Sequence, residues 1–329
     1  MPEIRLADMV SKSGEITAVS QRVGGVLKPQ QASRVIDLIV SGSEILKQVT
    51  VERSSRLEKE VDVFDLAQEV LVRVPEGSDP SNFVGITNNG CTLHMLPAQL
   101  FGRILFSTLR DNKDDPQFEN KTLQRWAKRY SENITRLAFV GASDSYTNSA
   151  FSELNKGWIQ LFKDSQSTHI VDLSSYQTDG VTDWIDYLTA IVAALPDKYK
   201  STRTCKVLMN TTDHEAYVTQ VGNLTGAHAV LISGNVTNIL GYEILSLSDI
   251  PSGTVLFTPL ANLIYGINTS IERYREVKGS KRCIDYTFDM NFDFQVAIPD
   301  AAVLGYDVPT PETPASESGT GTESGGGGQ

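Results

Sequence analysis

Residues 115–141 read DPQFENKTLQRWAKRYSENITRLAFVG, and their pattern sets one long helix. Asp115 offers carboxylate oxygens to the free N–H groups of a helix start, and Pro116 stands at the first helical position, where its missing N–H costs nothing. Gly141 offers the left-handed backbone conformation that closes a helix. Between them Leu123, Trp126, Ala127, Tyr130, Ile134, Leu137 and Ala138 recur at steps of three and four, an apolar stripe along one face. Lys121, Arg125, Lys128, Arg129, Glu132 and Arg136 largely fill the other face. At about 1.5 Å per residue, a helix over 116–140 spans roughly 37 Å, so its stripe needs a broad partner.

The best partner lies far away in the chain. From Ile284 to Val296 the even positions are Ile284, Tyr286, Phe288, Met290, Phe292, Phe294 and Val296. The odd positions Asp285, Thr287, Asp289, Asn291, Asp293 and Gln295 are polar. Strict period two is the signature of a half-buried strand, here about 43 Å long at roughly 3.3 Å per residue. The expectation is a long helix packed along a long strand, with everything between them inserted.

Composition narrows the function classes. The 329 residues suffice for one large or two medium domains, and 40% apolar residues can build a core. Net charge is −11 and no Lys/Arg run stands out, which argues against strong nucleic-acid binding by phosphate neutralisation. Cys91, Cys205 and Cys283 form a sparse, odd set without paired spacing, as expected of reduced thiols in a cytoplasm. The N-terminal stretch lacks the apolar core of a secretory signal, and the apolar run 188–195 is too short to span a bilayer.

Taken in order, residues 1–27 read as an extended arm and 29–46 as a helix ending near Gly42 followed by a turn. Alternating β-type segments then flank the turn-rich PEGSDPSN at 75–82, with Asn89-Gly90 marking a second tight turn. This is a long hairpin, either projecting or lying at a sheet edge. QLFGRILFSTLRDN leads into the long helix. After it come the amphipathic helix TDWIDYLTAIVAAL (182–195), the buried strand CKVLMN (205–210), a helix from Thr211, and the short strands HAVLIS (228–233), YEILSL and TVLFTPL. The segment from 309 onward has no core former and reads as a disordered tail.

Chemical motifs fail one by one. Thr212 and Glu215 have capping-box spacing, so Thr212-Asp213-His214-Glu215 reads as a helix start. His94, His169, His214 and His228 match no metal-ligand spacing. Asp285, Asp289 and Asp293 share a strand face about 13 Å apart and read as solvated. Trp158 reads as a packing residue. No catalytic, cofactor or metal constellation is expected.

The order of parts resembles the major capsid proteins of tailed bacteriophages, the Hong Kong 97 fold. The resemblance is carried by LKPQQASRVIDLIVSGSEILKQVTVERS (27–54), NKGWIQ (155–160), LPDKYKSTRTCKVLMN (195–210) and GYEILSLSDIPSGTVLFTPLANLIYGI (241–267), over about residues 28–307. It implies an α+β capsid fold. An N-terminal arm would cover 1–55 and an extended-loop hairpin 56–97. A peripheral domain would cover 98–168, with spine helix 116–140, an axial domain 169–258, return strands 259–308, and a tail 309–329. It implies structural roles for Trp126, Tyr130, Ile134, Leu137, Trp158, Phe288, Phe292 and Phe294. As partners it implies other copies in hexamers and pentamers, separate scaffold, portal and decoration proteins, and packaged double-stranded DNA, with no membrane. The location implied is the virion, after synthesis in a bacterial cytoplasm. The covalent cross-link of the Hong Kong 97 type needs a hairpin lysine, and none occurs between Lys59 and Lys113, so non-covalent joining is expected. An encapsulin-type shell and an α/β enzyme using Asp213 and His214 are the alternatives.

Overall fold

The computed structural model describes residues 22–27, 29–62, 64–65, 87–88, 90–112, 115, 118–144, 150–178, 180–200, 204–223 and 237–308. The arm before residue 22, the hairpin tip at 75–82, the strand read at 228–233 and the tail from 309 lie outside these residues.

The chain runs from β1 (Arg22–Val26) and α1 (Pro29–Gly42) into β2 (Thr50–Ser54). The hairpin strands follow: β3 (Glu58–Val61), β4 (Phe64–Asp65), β5 (Thr87–Asn88) and β6 (Cys91–His94). Next come β7 (Leu96–Leu105), α2 (Phe106–Asp111) and the long helix α3 (Phe118–Val140). Then α4 (Trp158–Asp164), β8 (His169–Asp172), β9 (Gln177–Thr178), β10 (Val181–Thr182), α5 (Trp184–Ala194) and α6 (Asp197–Lys200) lead to β11 (Cys205–Asn210) and α7 (Thr211–Asn223). The remainder is strand: β12 (Asn238–Ile239), β13 (Tyr242–Leu247), β14 (Val255–Pro259), β15 (Leu263–Asn268), β16 (Glu272–Lys278), β17 (Cys283–Val296) and β18 (Val303–Tyr306).

The long strand is the spine of the first sheet. Phe292 is in register with both Leu96 of β7 and Ile267 of β15, and Phe288 with both Leu100 of β7 and Arg273 of β16. A strand has two edges, so β15 and β16 share one and β7 takes the other. β2 runs parallel to β15, and β1 antiparallel to β16. The even face of β17 meets α3, as the two periodicities require. Trp126 lies 5.3 Å from Tyr286 and 6.3 Å from Phe288, and Tyr130 lies 6.4 Å from Phe292, between ring centroids. Trp126 comes this close because β7 carries glycine below it: a Cβ on Gly102 would stand 2.5 Å from the indole.

The second sheet has the order β12-β13-β11-β14-β18-β8, and its central strands β11, β14 and β18 are buried on both faces. Leu208, Leu256 and Leu304 face the core shared with α3, while Val207, Val255 and Val303 face α5 and α7. That two-sided burial is why CKVLMN reads as an unbroken apolar run.

Several expectations are corrected. The helix within the arm read over 1–55 cannot bury its apolar side alone, and it lies on the body: Ala32, Ile36 and Ile39 of α1 are fully buried in the main core. Residues 303–306, expected among the return strands, sit in the second sheet between β14 and β8. β7 was read only as a lead into the helix; its outer positions mix Phe101, Arg103 and Leu105, which hides the period-two pattern. Gly90 is not at a turn, since β3–β6 and β4–β5 keep one unbroken register. Gly141 closes α3 without a left-handed backbone. It is glycine because a Cβ there would stand 2.3 Å from the Asn155 carbonyl oxygen, where two backbones cross.

Asp293 corrects the solvated reading of the odd face. It is only 6% exposed, because β6 lies over it. Its Oδ2 accepts the His94 N–H at 2.8 Å and its Oδ1 the Phe294 N–H at 2.8 Å. Burial pushes the carboxyl up to about 6, against the pull of those donors. The folded value lies above the roughly 3.9 of an unfolded aspartate, so the fold favours the protonated form. The stabilisation from this group is therefore full below about pH 4 and lost as pH rises through 6. Between pH 7 and 4.5 the wild type should gain about 2 kcal/mol relative to Asp293→Asn. Denaturant unfolding at the two pH values measures this, and identical pH dependence in both proteins would refute the assignment.

Candidate functional site

Chemical candidates come first, because a shell subunit and an enzyme predict different uses for Asp213. Asn210, not a Thr212–Glu215 box, caps α7: its Oδ1 accepts the Thr212 N–H at 2.8 Å. Asp213 is buried, and both of its oxygens are engaged. The Ser252 Oγ–H donates to Oδ1 at 2.6 Å, and the Gly253 N–H to Oδ2 at 2.7 Å. Gly253 has φ +79°, a turn conformation that favours glycine. Asp213 thus ties α7 to the turn before β14. A groove of about 460 Å³ passes over it, lined also by Lys163, Trp184 and Tyr306, but not by His214. Asp213 and His214 are therefore not brought together. No cluster of three or more potential metal ligands occurs among the described residues, and none of their helices is long and apolar enough to cross a membrane.

The eight residues singled out from the sequence lie inside the body. Tyr130, Ile134, Leu137, Trp158, Phe288, Phe292 and Phe294 are buried, and Trp126 is half-buried. Trp158 joins three elements: its indole N–H donates to the Ile264 carbonyl of β15 at 3.1 Å, and its ring packs edge-on against Phe139 of α3 and Phe294 of β17. These side chains hold the platform; they do not form an outer surface.

Two outward features stand on that platform. The first is the hairpin. Its described strands, β3 with β6 and β4 with β5, form ladders separate from both six-stranded sheets. Residues 58–65 at roughly 3.3 Å each carry the described part of the hairpin about 26 Å. Leu93 and Met95 anchor its root in a small core with Ile264, and Leu93 fits against Gly266, where a Cβ would stand 2.9 Å from its Cδ2. The half-buried Lys59–Glu52 pair at 2.6 Å ties β3 to β2.

The second is the sheet face turned away from α3. Tyr274, Thr287 and Phe101 form one registered row across β16, β17 and β7. Phe101 is 71% exposed and Tyr274 44%. Beside that row Arg103 grips Asp285 with Nε and Nη2 at 2.6 and 2.9 Å, and Lys278 approaches the same carboxylate at 2.9 Å. The Arg103 guanidinium, followed by Lys278, holds that carboxyl well below the usual range. The sequence reading missed Phe101 and Tyr274, because an aromatic on a polar face is recognisable only once the strand frame is known.

Solved structures share this architecture from end to end. A chain of the satellite phage P4 procapsid, in a structure that includes the size determination protein Sid, aligns with TM-score 0.69 at 15% identity, covering 92% of this chain and 96% of that one. The fold is that of the phage capsid proteins. A chain from the capsid of the native GTA particle gives TM-score 0.56 at 14% identity over 90% of this chain and 95% of that one. A chain of Microbacterium phage Oxtober96 gives 0.50 at 11% over 93% and 99%. No protein-family model matches the sequence, and no curated protein sequence does. The coverage means that the capsid fold here takes in both sheets and α3 together.

Proposed function

We propose that this chain is the major capsid protein of a tailed phage, assembling as hexamers and pentamers into an icosahedral head around double-stranded DNA. The observation that carries this reading is the hairpin standing outside both sheets on a capsid-type body. A two-stranded ribbon has little stability of its own. In this reading the ribbon, rooted at Leu93 and Met95, continues beyond the body, where it would bury its area against a neighbour. In this reading Phe101 and Tyr274 on the open sheet face add apolar anchors between copies. Trp126, Tyr130, Ile134, Leu137, Trp158, Phe288, Phe292 and Phe294 serve assembly indirectly, by keeping that body rigid. Scaffold, portal and decoration proteins are separate chains, and the subunits hold together without covalent cross-links. The shell is built in a bacterial cytoplasm and ends in the virion.

Deleting residues 75–82 separates this role from a role in the core. The truncated chain should unfold within about 0.5 kcal/mol of the wild type, as expected for a change away from the core. Its yield of particles should fall by tenfold or more. Thermal unfolding and gradient sedimentation, run side by side, measure both. A large loss of subunit stability would place the segment in the core, and an unchanged particle yield would remove the hairpin from assembly.

A further inference from the structure

We propose that the outward arc of α3 is a sequence-independent contact for the phosphates of double-stranded DNA inside the shell; this rests on the reading of the chain as a shell subunit. Lys121, Arg125, Lys128, Arg129, Glu132 and Arg136 are all exposed. At 3.6 residues per turn they fall within an arc of about 100°, opposite the stripe of Trp126, Tyr130, Ile134 and Leu137. From Lys121 to Arg136 the arc runs about 22 Å along the axis.

The charge of this arc opposes that of the chain. Residues 118–140 hold five cations and two carboxylates, Glu119 and Glu132, within a chain of net charge −11. The remainder of the sequence is therefore more acidic than the whole, and the cations are concentrated on one straight element. Part of that charge is answered locally: Lys121 pairs with Asp115 at 2.7 Å, and Arg129 with Glu132 at 3.0 Å. Arg136 acts on Asp249. Arg125 and Lys128, one turn apart, make no ion pair among the described residues.

The surface chemistry favours a duplex over a protein partner. None of the large hydrophobic side chains exposed on the described residues lies on α3. Protein interfaces place aromatic or aliphatic anchors at their centre and deplete lysine there. Phosphate contacts need only cations and neutral donors, and the exposed Gln124 supplies a donor beside the edge of the arc. Each subunit offers few charges, so each contact is weak and sensitive to salt. Repetition over the shell makes the sum effective without holding any stretch of DNA. That agrees with an acidic chain lacking a Lys/Arg run.

The test uses the unassembled full-length chain and the double variant Arg125→Glu/Lys128→Glu, with plasmid-length linear duplex in a gel-shift titration. The wild type should retard the duplex at about 50 mM salt and release it by about 200 mM. The variant should bind at least tenfold more weakly, with a salt slope shallower by about two. Equal binding by the variant, no wild-type binding at low salt, or equal competition by polyglutamate would each overturn the assignment. Electron microscopy of both proteins keeps the two readings apart. Shells from both, with the difference seen only in DNA binding, support the contact. Absence of wild-type shells would count against the shell reading itself.

Discussion

Trp158→Ala should cost about 4 kcal/mol, a large share of the roughly 5–15 kcal/mol that holds a domain of ordinary stability. The indole is fully buried, so truncation opens a cavity between Phe139 and Phe294 that backbone elements on three sides cannot close. It also removes the donor to the Ile264 carbonyl, which adds roughly 1 kcal/mol for an acceptor left dry. Phe101→Ala is the control. It deletes a comparable aromatic group from a site 71% exposed, and should stay within about 0.5 kcal/mol of wild type for the subunit alone. Denaturant unfolding of the two variants measures the contrast, and similar losses in both would mean that the core is placed wrongly.

Gly157→Ala should cost about 3 kcal/mol, the upper part of the range for overpacking, though it adds a single methyl group. Its Cβ would stand 2.6 Å from the Ala138 carbonyl oxygen and 2.8 Å from that of Leu137. Both are helix backbone, so neither can rotate away. The Gly157 N–H also donates to the Gly141 carbonyl at 3.0 Å, and any shift would move Trp158, the next residue, out of its socket. At Gly279 an added Cβ meets nothing within 4 Å and φ is not positive. Gly279→Ala should therefore be neutral or stabilising by about 0.5 kcal/mol through the unfolded chain. Thermal unfolding of both glycine variants decides the matter; a mild effect at Gly157 would show that the crossing has slack.

The contrast between these sites explains what the sequence makes legible. The long helix and strand were readable because each buries one face against the other, so the periods of 3.6 and 2 are written in Trp126, Tyr130 and Ile134 and in Tyr286, Phe288 and Phe292. Trp158 was readable as a packing residue by size alone. What remained hidden depends on partners distant in sequence. Gly141 reads as a helix-closing glycine and Gly157 carries no signal of its own, until the two backbones cross. Asp293 matches Asp285 and Asp289 in spacing, and only the arrival of β6 distinguishes a buried carboxylate from a solvated one. Phe101 was passed over, because the stretch around it read only as a lead into the long helix and no strand frame set its face. The chemistry around Asp213 was legible only in part: a helix start was evident, but the clamp on Ser252 and Gly253 needs a turn some forty residues away.

A body held this way, with a hairpin rooted on its edge, makes sense as a repeating unit, and direct imaging tests that most simply. Negative-stain electron microscopy of the purified full-length chain should show thin-walled closed shells, or rings of six and five at concentrations below assembly. Uniform particles the size of a single 36.0 kDa chain, at every protein and salt concentration tried, would contradict the account.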